Sequence, residues 1–349
     1  MSRVSLALCI LAVAVAGCDS EGTGTTADVR VMSQNLYLGA DLFLVANEPN
    51  PQLVPVRVAE LYGSVQASDP AARMAAVAAE IARVDPALVG LQEVSTYAVQ
   101  MPGDNLPGGA GTPATQVTFD FLELLLDALA DQGADYRVVS RSDNSDVELP
   151  ATTDGTTFFD VRYQDADVIL ARCDVEVSNA QEQSFRTLLT IPVGGVNQTF
   201  VRGYQSVDAT VDGLDLTFFN THLEVGGPAE PIQVLQASEL VPVLQAAGAR
   251  VILVGDINSD GNAAGASYQT LTGSFDDAFS TGAAATCCQA ADLGNATSQL
   301  QTRIDVVLFR GFEAVTEAEV VLDEPADRVG GLWPSDHAGV WAELEAVVL

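Results

Sequence analysis

Six apolar runs, each meeting a polar cluster at one end, set the frame for any fold this chain can adopt. Val251-Ile252-Leu253-Val254 ends on Gly255-Asp256-Ile257-Asn258, and Leu88-Val89-Gly90-Leu91 ends on Gln92-Glu93. Val29–Leu36 carries Gln34-Asn35, and Leu214–Leu223 carries Asn220-Thr221-His222. Arg303–Gly311 opens on Arg303-Ile304-Asp305, and Ser335-Asp336-His337 stands just ahead of Ala338–Val348. Runs this short, rich in β-branched residues, read as buried strands. Strands that finish on polar groups hold those groups rigidly, and loops at one sheet edge can bring them together.

Helical patterns lie between the runs. Asp69–Val84 has Asp as N-cap and Pro at the first helical position. Phe119–Gly133 is closed by Gly, and Ile232–Gly248 reads as a helix interrupted or kinked near Pro242. Ala166–Cys173 is a further strand, and Gly203–Val211 with Leu214–Leu223 forms a hairpin turning at Asp212-Gly213. The stretches Met101–Pro113 and Asn144–Thr157 read as long surface loops near a working face. No repeat and no long linker divides the chain after Asp28, which implies one α/β domain with mixed sheets.

Composition narrows the function classes. Of 349 residues 48% are hydrophobic, enough for a sizeable core. The formal charge is −32, and all 15 basic residues are Arg. Such a chain repels polyanions at long range, which argues against a module that coats duplex DNA. A small basic spot, or bound cations that reverse the local sign, remains compatible with it. So does a plainly soluble acidic surface.

The N-terminus reads as an export signal: one Arg, then an apolar run from Val4 to Ala16 that is short for a membrane span. Val15-Ala16-Gly17-Cys18 resembles a bacterial lipobox. That resemblance implies that residues 1–17 are a lipoprotein signal peptide, with cleavage before Cys18 and diacylation of its thiol. The alternative is an ordinary secretory signal in which Cys18 is incidental. Residues 18–27 then form a flexible tether and 28–349 the folded domain. The expected location is the bacterial cell envelope, on a membrane held through the lipid. Asp19 resembles an inner-membrane retention signal of some bacteria. Beyond Cys18 the mature chain keeps Cys173, Cys287 and Cys288. Either one thiol stays free or Cys287 and Cys288 form an adjacent pair, a structural tie rather than a catalyst. Neither spacing nor number supports a zinc site.

The whole chain has two histidines, His222 and His337, and both sit within the polar clusters. These residue types fit metal-assisted phosphoryl transfer. A hard divalent cation takes oxygen ligands and keeps several waters, so Glu93 and one or two further oxygens suffice. Attack on a phosphodiester needs an activated water, stabilised phosphoryl charge and help for the leaving group. There is no GxSxG nucleophile elbow and no GxxxxGK[ST] loop.

In order, SQNLYLG, GLQEVS, FFNTHLE, VGDINS, RIDVVL and PSDHAGV resemble the endonuclease/exonuclease/phosphatase superfamily, from about Val29 to the C-terminus. The resemblance implies a four-layer α/β sandwich, in which two facing, mostly antiparallel mixed sheets carry helices outside and the site opens at one edge. It implies Mg²⁺, with Mn²⁺ or Ca²⁺ as alternatives. Glu93 matches the principal metal ligand, with Asn35 and Asp336 close to the metal. His222 matches a phosphate-contacting His, Asp256 and Asn258 the pair that holds the attacking water and the phosphate. His337 matches a general base or transition-state stabiliser, with Asp305 as its orienting carboxylate. The general base stays open between Asp256 and His337. Two matches come from the middle of the chain: Tyr163 with Asp165, the latter orienting His222, and Arg202, which would hold phosphate. Asp165 departs from the Glu often found there, and Arg202 could equally be a surface ion pair.

The implied activity is an exported Mg²⁺-dependent phosphoesterase, in particular a phosphodiesterase. A DNase-like extracytoplasmic endonuclease is the alternative, with nucleic acid as substrate and not as stable partner. A non-catalytic binding lipoprotein on the same fold is the alternative of another class; the full set of His and acids counts against it. Asp256-x-Asn258-x-Asp260-Gly261 also looks like the start of an EF-hand loop. Position twelve would be Ser267, where a bidentate Glu is needed, and the preceding run suits a strand. The calcium-loop reading fails at both ends.

Overall fold

A computed structural model describes residues 25–105, 111–193, 196–279 and 282–348. The signal peptide, Cys18 and most of the tether lie outside the described residues. In chain order the first strands are β1 (Thr26–Asn35), β2 (Leu88–Gln92), β3 (Thr96–Gln100), β4 (Gln116–Asp120), β5 (Tyr136–Ala151) and β6 (Phe159–Arg172). Then come β7 (Glu176–Ser184), β8 (Leu189–Val193), β9 (Val196–Phe200), β10 (Gly203–Val211) and β11 (Leu214–His222). The last are β12 (Val251–Asp256), β13 (Asp276–Asp277), β14 (Asp305–Arg310), β15 (Ala314–Val321) and β16 (Gly339–Val347). Helices are α1 (Phe43–Ala46), α2 (Val54–Ala67), α3 (Pro70–Val84), α4 (Phe121–Asp131), α5 (Glu230–Ala246) and α6 (Ala266–Thr272).

Two mixed sheets face each other. The first runs β15-β16-β1-β2-β6-β3-β4 with β5 also paired to β6; the second runs β13-β14-β12-β11-β10-β7. Among the described residues only β1/β2 and β11/β12 pair in parallel. Period-two alternation sorts the apolar side chains into layers. Val29, Val31, Leu88 and Ile169 meet Phe218, Ile252, Val254 and Val307 between the sheets. Their neighbours Met32, Val89, Val168 and Leu170 turn outward onto Met74, Val77 and Ile81 of α3 and Phe121 and Leu125 of α4. On the far side Phe219, Val251, Leu253 and Leu308 pack on Leu240 and Leu244 of α5 and Leu271 of α6. The result is the expected four-layer sandwich. At Gly90 the sheets approach so closely that a Cβ would lie 2.4 Å from Val254 Cγ2. The β10–β11 turn forms as expected, with positive φ at Asp212 (49°) and Gly213 (83°).

Several local expectations need correction. Asn144–Ala151 is strand, part of the sixteen-residue β5, and not loop; its polar Ser-Asp-Asn-Ser-Asp segment hid the period. Helix α4 starts at Phe121, because Asp120 ends β4 and caps the helix by accepting from Glu123 N. Pro242 does not end α5, which is held on both sides of it by buried Leu240 and Leu244. Strand β1 begins at Thr26, inside the span assigned to the tether, since Thr26 and Ala27 pair with Val347 and Ala346.

Candidate active site

Sheet register assembles the site. Asn35 ends β1 opposite Gln92 at the end of β2. Across the second sheet His222 pairs with Asp256, and Asp256 with Asp305, so three adjacent strands present one row. The β1/β16 ladder, with Ser33 opposite Val340, brings Asp336 and His337 to the same edge. Tyr37, Glu93 and Asn258 follow strand ends in the left-handed region, at φ of 55°, 55° and 51°. Backbone strain of this kind gathers at functional sites.

Asn35 donates from Nδ2 to Glu93 Oε1 (3.3 Å) and to Asp256 Oδ2 (3.1 Å), while its Oδ1 accepts from Tyr37 N (2.9 Å). As placed, Asn35 ties the two carboxylates together rather than offering them an oxygen. Glu93 Oε2 accepts from Leu38 N at 2.9 Å. Asp256 Oδ1 accepts from Asn258 N at 2.8 Å, and its Oδ2 lies 3.5 Å from His222 Nε2 and 3.8 Å from His337 Nε2. Asn258 Nδ2 donates to Leu223 O and stands 3.3 Å from His222 Nε2. His337 Nδ1 is 2.9 Å from Asp305 Oδ2.

The two imidazoles have opposite surroundings. Burial lowers His222 well below the ordinary histidine value, and the adjacent Arg202 cation and His337 lower it further. Burial also opposes charge on His337, but Asp305, Asp256 and Asp336 outweigh it and hold that ring charged well above the ordinary value. Burial pushes Asp256 up to about 7, against the pull of His337. Asp336 likewise rises to about 7 through burial, with Glu93 adding to the shift and His337 opposing it.

On the flank, Arg202 Nη1 lies 2.7 Å from His222 Nδ1. Arg can only donate, so Nδ1 accepts and the neutral ring carries its proton on Nε2, toward the carboxylate of Asp256. The carboxylate nearest Nδ1 is Asp167, at 3.8 Å; Asp165, expected in that role, instead accepts from Asn144 at 3.3 Å. Asp165 and Asp167 rise to about 6 and about 8, in each case chiefly by burial. Tyr163 borders the same cavity as Asp165 and Arg202.

Two features had no usable sequence signal. Arg73 of α3 is buried and donates to the carbonyls of Pro334 (2.8 Å), Tyr37 (2.8 Å) and Leu36, and to Ser68 Oγ (3.1 Å). It fastens the loops that carry Tyr37 and Asp336. Beneath the site a buried amide net joins the sheets. Gln92 donates to Asn220 Oδ1 (2.7 Å), and Asn220 donates to Leu91 O, Val168 O and Gln205 Oε1. Cys287 and Cys288 are bonded to each other and Cys173 is free and exposed. Cys288 Sγ stands 4.0 Å from His337 Nε2.

The residues fit a hard divalent cation. Glu93 and Asp336 border one cavity, and Asp336 Oδ1 is buried without a hydrogen-bond partner among the described residues. Two carboxylates so placed oppose each other's charge until a cation offsets it.

The sequence profile of the Endonuclease/Exonuclease/phosphatase family matches residues 32–337. Among solved structures the chain is similar to an endonuclease/exonuclease/phosphatase family protein from Bacteroides thetaiotaomicron, at 18% identity and a TM-score of 0.56, over 93% of this chain and 96% of that one. It is similar to truncated Caenorhabditis elegans TDP2 at 16% identity and a TM-score of 0.52, over 91% and 98% of the two chains. It is similar to a mannosyl-6-phosphatase from Bacteroides thetaiotaomicron VPI-5482 at 17% identity and a TM-score of 0.52, over 90% and 99%. At these identities the likeness is one of fold. No curated protein matches the sequence.

Proposed function

The chain belongs to the endonuclease/exonuclease/phosphatase family, whose members are metal-dependent phosphoester hydrolases, and we propose that it is an exported, Mg²⁺-dependent phosphodiesterase. One observation carries the finer reading. The ends of β2, β11 and β12, with the segment before β16, bring Glu93, His222, Asp256, Asn258, Asp336 and His337 to a single cavity, and Asn35 of β1 and Asp305 of β14 bond to them from behind.

Glu93 and Asp336 would hold the cation, with Asn35 keeping Glu93 in place. The cation, when bound, supplies positive charge to the phosphoryl oxygens. Asp256 and Asn258 hold the attacking water in line with the phosphorus. Asp305 orients His337, whose charged ring stabilises the phosphoryl oxygens as negative charge builds. His222 keeps its proton on Nε2 and gives a hydrogen bond to a phosphoryl or leaving oxygen. Arg202 fixes that tautomer.

Hydrolysis of bis(p-nitrophenyl) phosphate, with Mg²⁺ and after chelation, tests the reading. Glu93→Ala and His337→Ala should each lower kcat by roughly 10²–10⁴, and chelation should abolish turnover until Mg²⁺ is restored. Equal turnover in wild type and both variants would remove the catalytic assignment. Plasmid DNA belongs in the same panel: preferred cleavage of it would favour the endonuclease alternative, which the charge of −32 disfavours.

A further inference from the structure

The site cavity extends well past the polar cluster. Its volume is about 400 Å³, within the size range of small-molecule sites. One end carries the phosphate chemistry described above. The other is walled by Val45 of α1, Val58 and Leu61 of α2, Val147 of β5, Val161 of β6 and Ile191 of β8. Among these apolar side chains stand the polar ones of Ser145, Thr199 and Gln198, the last paired with Ile191 across the β8–β9 ribbon. The β8–β9 ribbon belongs to neither large sheet, and Leu189, Ile191 and Phe200 line the cavity from one of its faces. Phe43, at the cavity margin, is 52% exposed, and neighbouring Leu44 is 37% exposed.

We propose that this apolar chamber is a subsite for an aliphatic chain, and that the substrate is an amphiphilic phosphodiester with an alkyl or acyl arm. The proposal rests on the phosphodiesterase reading above. A sugar or nucleoside in the chamber would lose many hydrogen bonds to water and find few in a wall that is mainly apolar. A polynucleotide would also bring its charge toward a protein of net −32. An aliphatic arm meets neither penalty. Burying it is favourable by area alone, and its phosphate reaches the polar end of the same cavity. Water attacks phosphorus and passes a proton to the Asp256 carboxylate; the P–O bond to the leaving oxygen breaks, that oxygen keeps the electron pair and takes a proton from solvent, and the products are a phosphomonoester and an alcohol.

The test is a homologous series of p-nitrophenyl alkyl phosphodiesters (methyl, butyl, octyl) held below micelle formation, with saturating Mg²⁺. Release of p-nitrophenolate reports every member equally. The value of kcat/KM should rise about fourfold per methylene over the first several carbons, then level off as the chamber fills. Ile191→Asp should flatten that rise, read as the ratio of octyl to methyl kcat/KM within the variant itself. Phe43→Asp, at an exposed position that bears little on folding, should weaken the rise in the same direction. A flat series in the wild-type protein overturns the proposal. So does a rise that survives both substitutions, or a gain confined to a phenyl analogue. Glu93→Ala on the methyl ester keeps the two readings apart. If Glu93 is required there while the series is flat, only the aliphatic subsite fails; if Glu93 is dispensable, the phosphodiesterase reading fails.

Discussion

His222 and His337 share a cavity yet differ in what they can carry. His222 touches a cation through Nδ1, whereas His337 faces three carboxylates. Because the chain has two histidines, each imidazole can be followed by NMR without crowding. In metal-free protein one ring should stay neutral well below pH 6.5 and the other charged well above it. Arg202→Met should raise the His222 value, since the guanidinium is one of the groups that depress it. An unchanged His222 titration in that variant would remove Arg202 from its proposed part. At this scale the motif residues were legible because each belongs to a polar cluster at the end of an apolar run. Asp167 and Arg73 were not. Asp167 sits inside a strand whose polar residues alternate, and Arg73 looks like any solvated Arg on a helix until the loops it fastens fold over it.

The elements that hold the site are legible in proportion to their periodicity. The central strands are continuous apolar runs because both faces are covered, and β2, β12 and β14 fall where the runs place them. Strand β5 escaped because much of it is half-exposed and its alternation is broken by two register shifts against β6. Helix α2 carried a recognisable Pro at its start but only a broken apolar stripe. Between the sheets, Asn220 is buried and serves Leu91 O, Val168 O, Gln205 and Gln92 at once. Asn220→Leu should destabilise by about 3 kcal/mol or more, because it leaves several buried polar groups unpaired. A urea midpoint measures the loss. Turnover should also fall in the fraction that stays folded, since Gln92 directly precedes Glu93.

As a whole the molecule places many titratable groups in a low-dielectric interior. Tyr37, Tyr97, Tyr136 and Tyr163 are all raised, in each case chiefly by burial. Above pH about 10 the unfolded chain would ionise these phenols while the folded protein keeps them neutral. Their stability contribution is complete below that pH and is lost as pH rises, by up to about 1.4 kcal/mol per pH unit for each tyrosine. Tyr136 donates to Pro86 O at 2.7 Å and lies away from the site. Tyr136→Phe should therefore make the alkaline fall in the urea midpoint shallower while leaving turnover intact. We also propose lipid attachment at Cys18. Cys18→Ala should move the expressed protein from the membrane to the soluble fraction, and retention at the membrane would contradict the anchor.

Strand β1 has a further consequence through its direction. It enters the fold at Thr26, beside Val347, and leaves it nine residues later at Asn35, in the site. At about 3.3 Å per residue those points stand roughly 30 Å apart. A lipid-borne chain would therefore enter the domain at one pole while the chemistry opens at the other. With the lipid proposed at Cys18, the site would open on the pole opposite the point where the tether joins the domain.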